Sequence, residues 1–156
     1  MKTLLISLIL VSAAFIAAYP QSPVKATIRL KDGKSIEAYH FGKLTCESNR
    51  NASTFTILRG KFSGSHTEIS DFKDISKLIL TGFTAGPAAS VGNQKGSITA
   101  VKRNGISVPL EEAELVMSCF DPSDRYNEIH VQIINPLTNQ KADMTIEMRT
   151  IDSITF

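Results

Sequence analysis

The sequence predicts an all-β protein, with two similar small β-barrel or sandwich units in tandem after a signal peptide. Three observations predict it. Apolar and polar residues alternate with the period of two of a half-buried strand over many short stretches. Asp-Gly, Asn-Gly and Asn-Pro pairs separate those stretches as turns. Beyond the first 18 residues, no segment carries the apolar period of 3.6 that marks an amphipathic helix.

The N-terminus divides into a base, Lys2, an apolar stretch from Leu4 to Ile16 and a small pair, Ala17-Ala18, followed by Tyr19-Pro20. That order is the secretory-signal pattern, with cleavage expected after Ala18. The apolar stretch is short for a spanning helix, which needs about 20 residues. The expected mature chain of 138 residues carries 16 bases and 15 acids. Its near-neutral, interspersed charge gives no long-range field for nucleic acid or anionic lipid. Lys102-Arg103, its only adjacent basic pair, reads as a solvated hairpin.

The sequence predicts that one unit occurs twice. Residues 26–38 and 98–110 are both alternating segments interrupted by Asp-Gly or Asn-Gly, and Gly33 and Gly105 lie 72 residues apart. Cys46 and Cys119 lie 73 apart, and Asp74 to Leu80 resembles Thr150 to Phe156 at an offset of 76. The expected division is residues 1–18 as signal peptide, 24–83 as the first β unit, 84–96 as a Gly/Ala-rich linker and 97–156 as the second β unit.

Within the first unit, Ile28 and Leu30 alternate with Thr27, Arg29 and Lys31. A longer loop at Asp32-Gly33 is expected to set Leu30 against Ile36 and Ile28 against Ala38, because a one-residue slip would expose the apolar set. Asn104-Gly105 fits a two-residue turn with positive φ at both positions, placing Val101 opposite Val108 and Thr99 opposite Leu110. Further strands are expected at Thr54 to Leu58, Leu115 to Phe120, Glu128 to Ile134 and Ala142 to Met148, with a helical turn at Glu111 to Glu114. Ile129, Val131 and Ile133 fall on one face, His130 and Gln132 on the other.

The order of alternating strand, Gly turn, second strand, later strands and a short Ile-x-x-Ile-x-Phe ending resembles Sm-like and SH3-like small β-barrels. The segment Ile28 to Ile36 and the endings Asp74 to Leu80 and Thr150 to Phe156 carry this resemblance. It implies a single turn leading into a closing strand. The whole chain is also similar to short exported bacterial proteins of unknown function. Sm-like proteins often bind RNA, but an exported chain with balanced charge and no basic-aromatic pattern argues against that here.

No catalytic constellation is visible. His40, His66 and His130 are widely spaced and read as surface or turn histidines rather than zinc ligands. Asp121, Ser123 and Asp124 lack the Gly and distal Glu of a calcium loop and read as a turn. Asn51-Ala52-Ser53 matches a glycosylation sequon, meaningful only in a eukaryotic host. No Ser sits in a Gly-x-Ser-x-Gly elbow. Cys46 and Cys119, at similar positions in the two units, are candidates for one disulfide in an oxidising compartment.

These readings give an exported, periplasmic or extracellular, non-enzymatic protein without metal or cofactor. Its expected work is binding a protein partner, a surface polymer or another copy of itself, through a strand edge or a groove between the units. The rivals are a small outer-membrane β-barrel, suggested by alternating Ile154 and Phe156, and a hydrolase with an unrecognised site.

Overall fold

The structure is a computed structural model and describes residues 23–42, 56–83, 96–117 and 128–156. Ten strands account for most of them: β1 (Ala26–Leu30), β2 (Ser35–Ala38), β3 (Thr56–Phe62), β4 (Ser65–Ile69), β5 (Ile75–Thr81), β6 (Gly96–Lys102), β7 (Ser107–Met117), β8 (Glu128–Ile134), β9 (Lys141–Glu147) and β10 (Ile151–Thr155). Among the described residues there is no α-helix, and a single 3-10 turn, Met148–Thr150, leads into β10. The all-β expectation holds. The segments expected as signal peptide, residues 1–18, and linker, 84–96, lie outside the described residues except for Gly96.

Eight strands form one antiparallel sheet in the order β2-β1-β10-β5-β6-β7-β3-β4, and β8 and β9 form a two-stranded ladder. The chain just past β2 joins them. His40 bridges Gln132 of β8, with Tyr39 N–H donating to Gln132 O at 2.7 Å and Gln132 N–H donating to His40 O at 2.8 Å. The strands therefore fall into two runs of five, β10-β1-β2-β8-β9 and β5-β6-β7-β3-β4, joined where β5 pairs with β10. Strand partnership does not follow the halves of the chain. β1 pairs with β10 and β6 with β5, so each half supplies its last strand to the other half's first.

The two opening hairpins share one construction. Lys34 O accepts from Leu30 N–H at 2.8 Å and Leu30 O from Gly33 N–H at 3.0 Å; Ile106 O accepts from Lys102 N–H at 2.8 Å and Lys102 O from Gly105 N–H at 2.9 Å. The side chains of Asp32 and Asn104 accept from the N–H two residues on, at 3.0 and 3.1 Å. Gly33 and Gly105 close the loops at φ +88° and +85°, where a Cβ would be strained.

Both expected registers need correction. At the second hairpin Ala100 faces Val108 and Ile98 faces Leu110, one residue away from the expected Val101–Val108 pairing. Gly105 has positive φ but Asn104 does not, so the type I′ turn is absent and a three-residue loop replaces it. At the first, Ile28 faces Ile36 and Ala26 faces Ala38. That is a shift of two, which keeps the apolar residues on the expected face.

Two further differences have local causes. Glu111 to Glu114 is not a helical turn but part of β7, whose first residues pair with β6 and whose later ones pair with β3. Glu112, at φ 46°, is the irregularity that lets one strand serve both partners. β4 was not expected, because Ser-His-Thr-Glu-Ile lacks an apolar alternation. It forms because Ser63-Gly64, both at positive φ, make the tight turn that folds it onto β3.

The core runs through both runs. Ile28, Leu58, Leu78, Ile98, Leu110, Val131, Met148, Ile151 and Ile154 are fully buried or nearly so. Burying such a side chain stabilises by about 1.5–3 kcal/mol relative to exposure. Gly60 is required where β3 crosses β7, since a Cβ there would lie 2.9 Å from the Leu110 Cβ.

Candidate functional site

Where the two runs meet, a cleft of about 610 Å³ opens between Pro23, Val24, Lys25, Ser70, Asp71, Phe72, Lys73, Arg103 and Phe156. The segment before β1 and the residue after β10 supply one side. The connection from β4 to β5 and the β6–β7 hairpin supply the other. Backbone hydrogen bonds fix this seam: Phe156 N–H donates to Ser76 O and Arg103 N–H to Asp74 O, each at 2.9 Å.

The cleft floor is aromatic. Phe72 and Phe156 stack with centroids 4.9 Å apart at 27°, and Phe41 meets both edge-on at 5.8 and 5.4 Å. Phe41 and Phe72 are buried, whereas Phe156 is only partly covered. Such geometry adds to the burial energy of the rings.

The rim is cationic. Arg103 donates from Nε to Lys73 O at 2.7 Å and from Nη2 to Phe156 O at 3.4 Å. Asp71, the one acidic side chain in the lining, accepts from Lys73 N–H at 3.0 Å and pairs with Lys73 Nζ at 3.0 Å. Those contacts, the backbone bond first, hold the Asp71 carboxyl below its usual range, and the Asp71 carboxylate raises the Lys73 ammonium.

The histidines depart from expectation. His66 is exposed on β4, but His40 and His130, expected at the surface or in turns, are 6% and 8% exposed. The reason is that β8 is covered on both faces: Ile129 and Val131 fill one, and His130 and Gln132 the other. His40 stands opposite Gln132 and shares that polar face. Val24 N–H donates to His40 Nδ1 at 3.3 Å, and His130 Nδ1 lies 3.2 Å from Thr145 Oγ1. Nothing in a polar residue between apolar neighbours tells a solvent face from a second, covered one.

Among the described residues no three His, Cys, Asp or Glu side chains cluster as a metal site would require. Cys46 and Cys119, the sequon at Asn51 and the turn residues Asp121, Ser123 and Asp124 lie outside the described residues. No described helix is long and apolar enough to cross a membrane.

Sequence reading did not single out the cleft as residues. Its one signal was the Lys102-Arg103 pair, which does sit at a hairpin but turns Arg103 toward Lys73 and Phe156. Comparison with family models, curated proteins and solved structures returned no match.

Proposed function

We propose that this chain is an exported, non-enzymatic binding module whose two related sequence units, residues 24–83 and 97–156, interchange strands to form the two five-strand runs, with a ligand-binding cleft where the runs meet. The observation that carries the reading is the cleft itself: an aromatic floor of Phe72 and Phe156 beneath the basic side chains of Lys25, Lys73 and Arg103. An apolar surface with a few convergent polar groups is what a recognition site requires.

The duplication reading is supported by matched partner orders and matched hairpin hydrogen bonds in the two runs. A short turn precedes each closing strand, as the resemblance to Sm-like and SH3-like barrels implies. Strand length favours this reading over a membrane barrel. Nine strands run four to seven residues and the eleven-residue β7 is divided between two partners, whereas a spanning strand takes about 9–11.

A disulfide between Cys46 and Cys119 belongs to the same proposal. Thr56 Oγ1 donates to Phe41 O at 3.3 Å, and Thr56 stands opposite Met117. The cysteines themselves follow Gly42 by four residues and Met117 by two in the sequence. Two reactive thiols in the oxidised protein would remove it.

A photo-cross-linking residue placed at Ser70 or Lys25, in protein exported by its own host, tests the binding role. A reproducible product from these positions, absent when the cross-linker replaces exposed Leu137, is expected. Products from Leu137 alone would move the interaction away from the cleft.

A further inference from the structure

We propose that a second copy of this chain docks on the outer edge of β9, antiparallel and about a twofold axis at Met144. This goes beyond the cleft: β9 supplies none of its lining, and the occupant is the protein itself.

The edge is open and its backbone faces outward. Among the described residues β9 pairs with β8 alone. Gln132 of β8 turns its backbone to the far side, its N–H donating to His40 O at 2.8 Å and its C=O accepting from Tyr39 N–H at 2.7 Å. Asp143 stands opposite Gln132. The two therefore form a non-hydrogen-bonded pair, and Asp143 directs its own N–H and C=O away from β8. Alternation along the strand gives Lys141, Thr145 and Glu147 the same outward backbone. Lys141, Asp143 and Thr145 are exposed, and Glu147 is half-buried. An edge of this kind is a template for another strand.

Charge decides which strand fits. β9 begins with Lys141 and ends with Glu147, which has Glu128 opposite it on β8. A second β9 laid antiparallel brings each basic end to an acidic end, whereas an in-register parallel copy sets like against like. Registers that match outward backbone to outward backbone differ by steps of two. Centring on Asp143 sets that acid against itself, and centring on Thr145 sets Asp143 against Glu147 twice. Centring on Met144 sets Lys141 against Glu147 and Asp143 against Thr145, each twice, as a self-complementary contact requires. Met144, partly buried against the core, then meets its own equivalent on the axis. Both charged side chains are placed for this. Lys141 Nζ lies 4.4 Å from the Tyr39 ring centroid. Arg149 holds one oxygen of Glu147, and the carboxylate keeps acceptor sites for a second cation. The edge strand β4 is two residues shorter, and its Glu68 is already bound by Arg59 at 2.8 Å.

Sedimentation equilibrium on the full mature protein tests this, with Lys141→Glu, Glu147→Lys and the double variant carrying both. The wild type is expected to dimerise. Either single variant sets like charges opposite one another twice, and is expected to weaken the dimer at least about tenfold. The double variant, and an equimolar mixture of the two single variants, are expected to restore it, because each again sets Glu against Lys. Circular dichroism checks that every variant keeps its strands. A wild type that stays monomeric up to about 1 mM, the weak end of specific association, would overturn the proposal. So would a dimer that neither single variant weakens, or a loss that the double variant or the mixture leaves in place.

Discussion

Ile154 lies directly opposite Leu78 where β10 pairs with β5, and the 76-residue shift that relates those strands carries this pair onto itself. The flanking pairs, Ser153–Ile79 and Thr155–Lys77, exchange under the same shift. The relation continues outward. Ile28 faces Ile154 as Ala100 faces Leu78, and Leu30 faces Ile151 as Lys102 faces Ile75. Asp152 and Ser76 are the residues each ladder skips.

Both central side chains are fully buried, so truncation leaves a cavity at the joint between the runs. Leu78→Ala and Ile154→Ala should each cost about 2–5 kcal/mol. Because the residues touch across one register position, the double variant should depart from additivity by at least about 0.5 kcal/mol. Urea denaturation of the four proteins measures this, and strict additivity would place the joint elsewhere.

Cutting the chain between Phe83 and Gly96 should not separate its halves. β1 and β2 pair with β10 and β8, while β6 and β7 pair with β5 and β3, so each run draws on both fragments. With a protease site engineered there, the fragments should co-elute on gel filtration and part only in denaturant. Elution as two independent species would contradict the observed pairing.

Glycine substitutions should divide into two classes. At Gly96 a Cβ would lie 2.6 Å from the Phe83 ring and from Thr81 O, and the backbone contact cannot rotate away. Gly96→Ala should therefore cost about 1–3 kcal/mol by overpacking, and Phe83→Ala should not rescue it. Gly33 and Gly105 have open space but positive φ. Ala at either should cost about 1 kcal/mol, and Asn, which tolerates that region, less. Thermal unfolding resolves the two patterns.

His40→Leu keeps the approximate volume but leaves Val24 N–H without its side-chain acceptor. The expected loss is about 1–3 kcal/mol. His66→Leu, at an exposed position of β4, should change stability by less than about 0.5 kcal/mol. Equal effects would mean that burial of His40 does not matter.

Acid should weaken the two Asp turns. Asp32 is held below 3.8 first by the Lys34 backbone N–H and then by the Lys34 side chain; Asp71 is held likewise by Lys73. A depressed carboxyl contributes stability above its unfolded value and loses it as pH falls through the folded one. Lys73 is raised above 10.5 by Asp71, so its share is present below that value and fades as pH rises through the folded one. NMR titration should find both Asp carboxyls below 3.8, and Asp71→Asn should return Lys73 toward 10.5.

The sequence by itself determined most of the strands, β4 and the Glu111–Glu114 part of β7 excepted, and much of their facing. Ile129 and Val131 alternate with His130 and Gln132, and Asp32-Gly33 and Asn104-Gly105 mark hairpins, because period and turn chemistry are local properties. Tertiary structure decided the loop geometry that sets Ala100 rather than Val101 opposite Val108. It also decided the burial of His40 and His130, and the convergence of Lys25, Phe72, Arg103 and Phe156 on one cleft. Each of those depends on which strand pairs with which. Backbone hydrogen bonds of β1 would accept β5 or β10 equally well, and local pattern cannot choose between two strands that look alike. That choice is made by packing over the whole chain, at the Ile154–Leu78 joint.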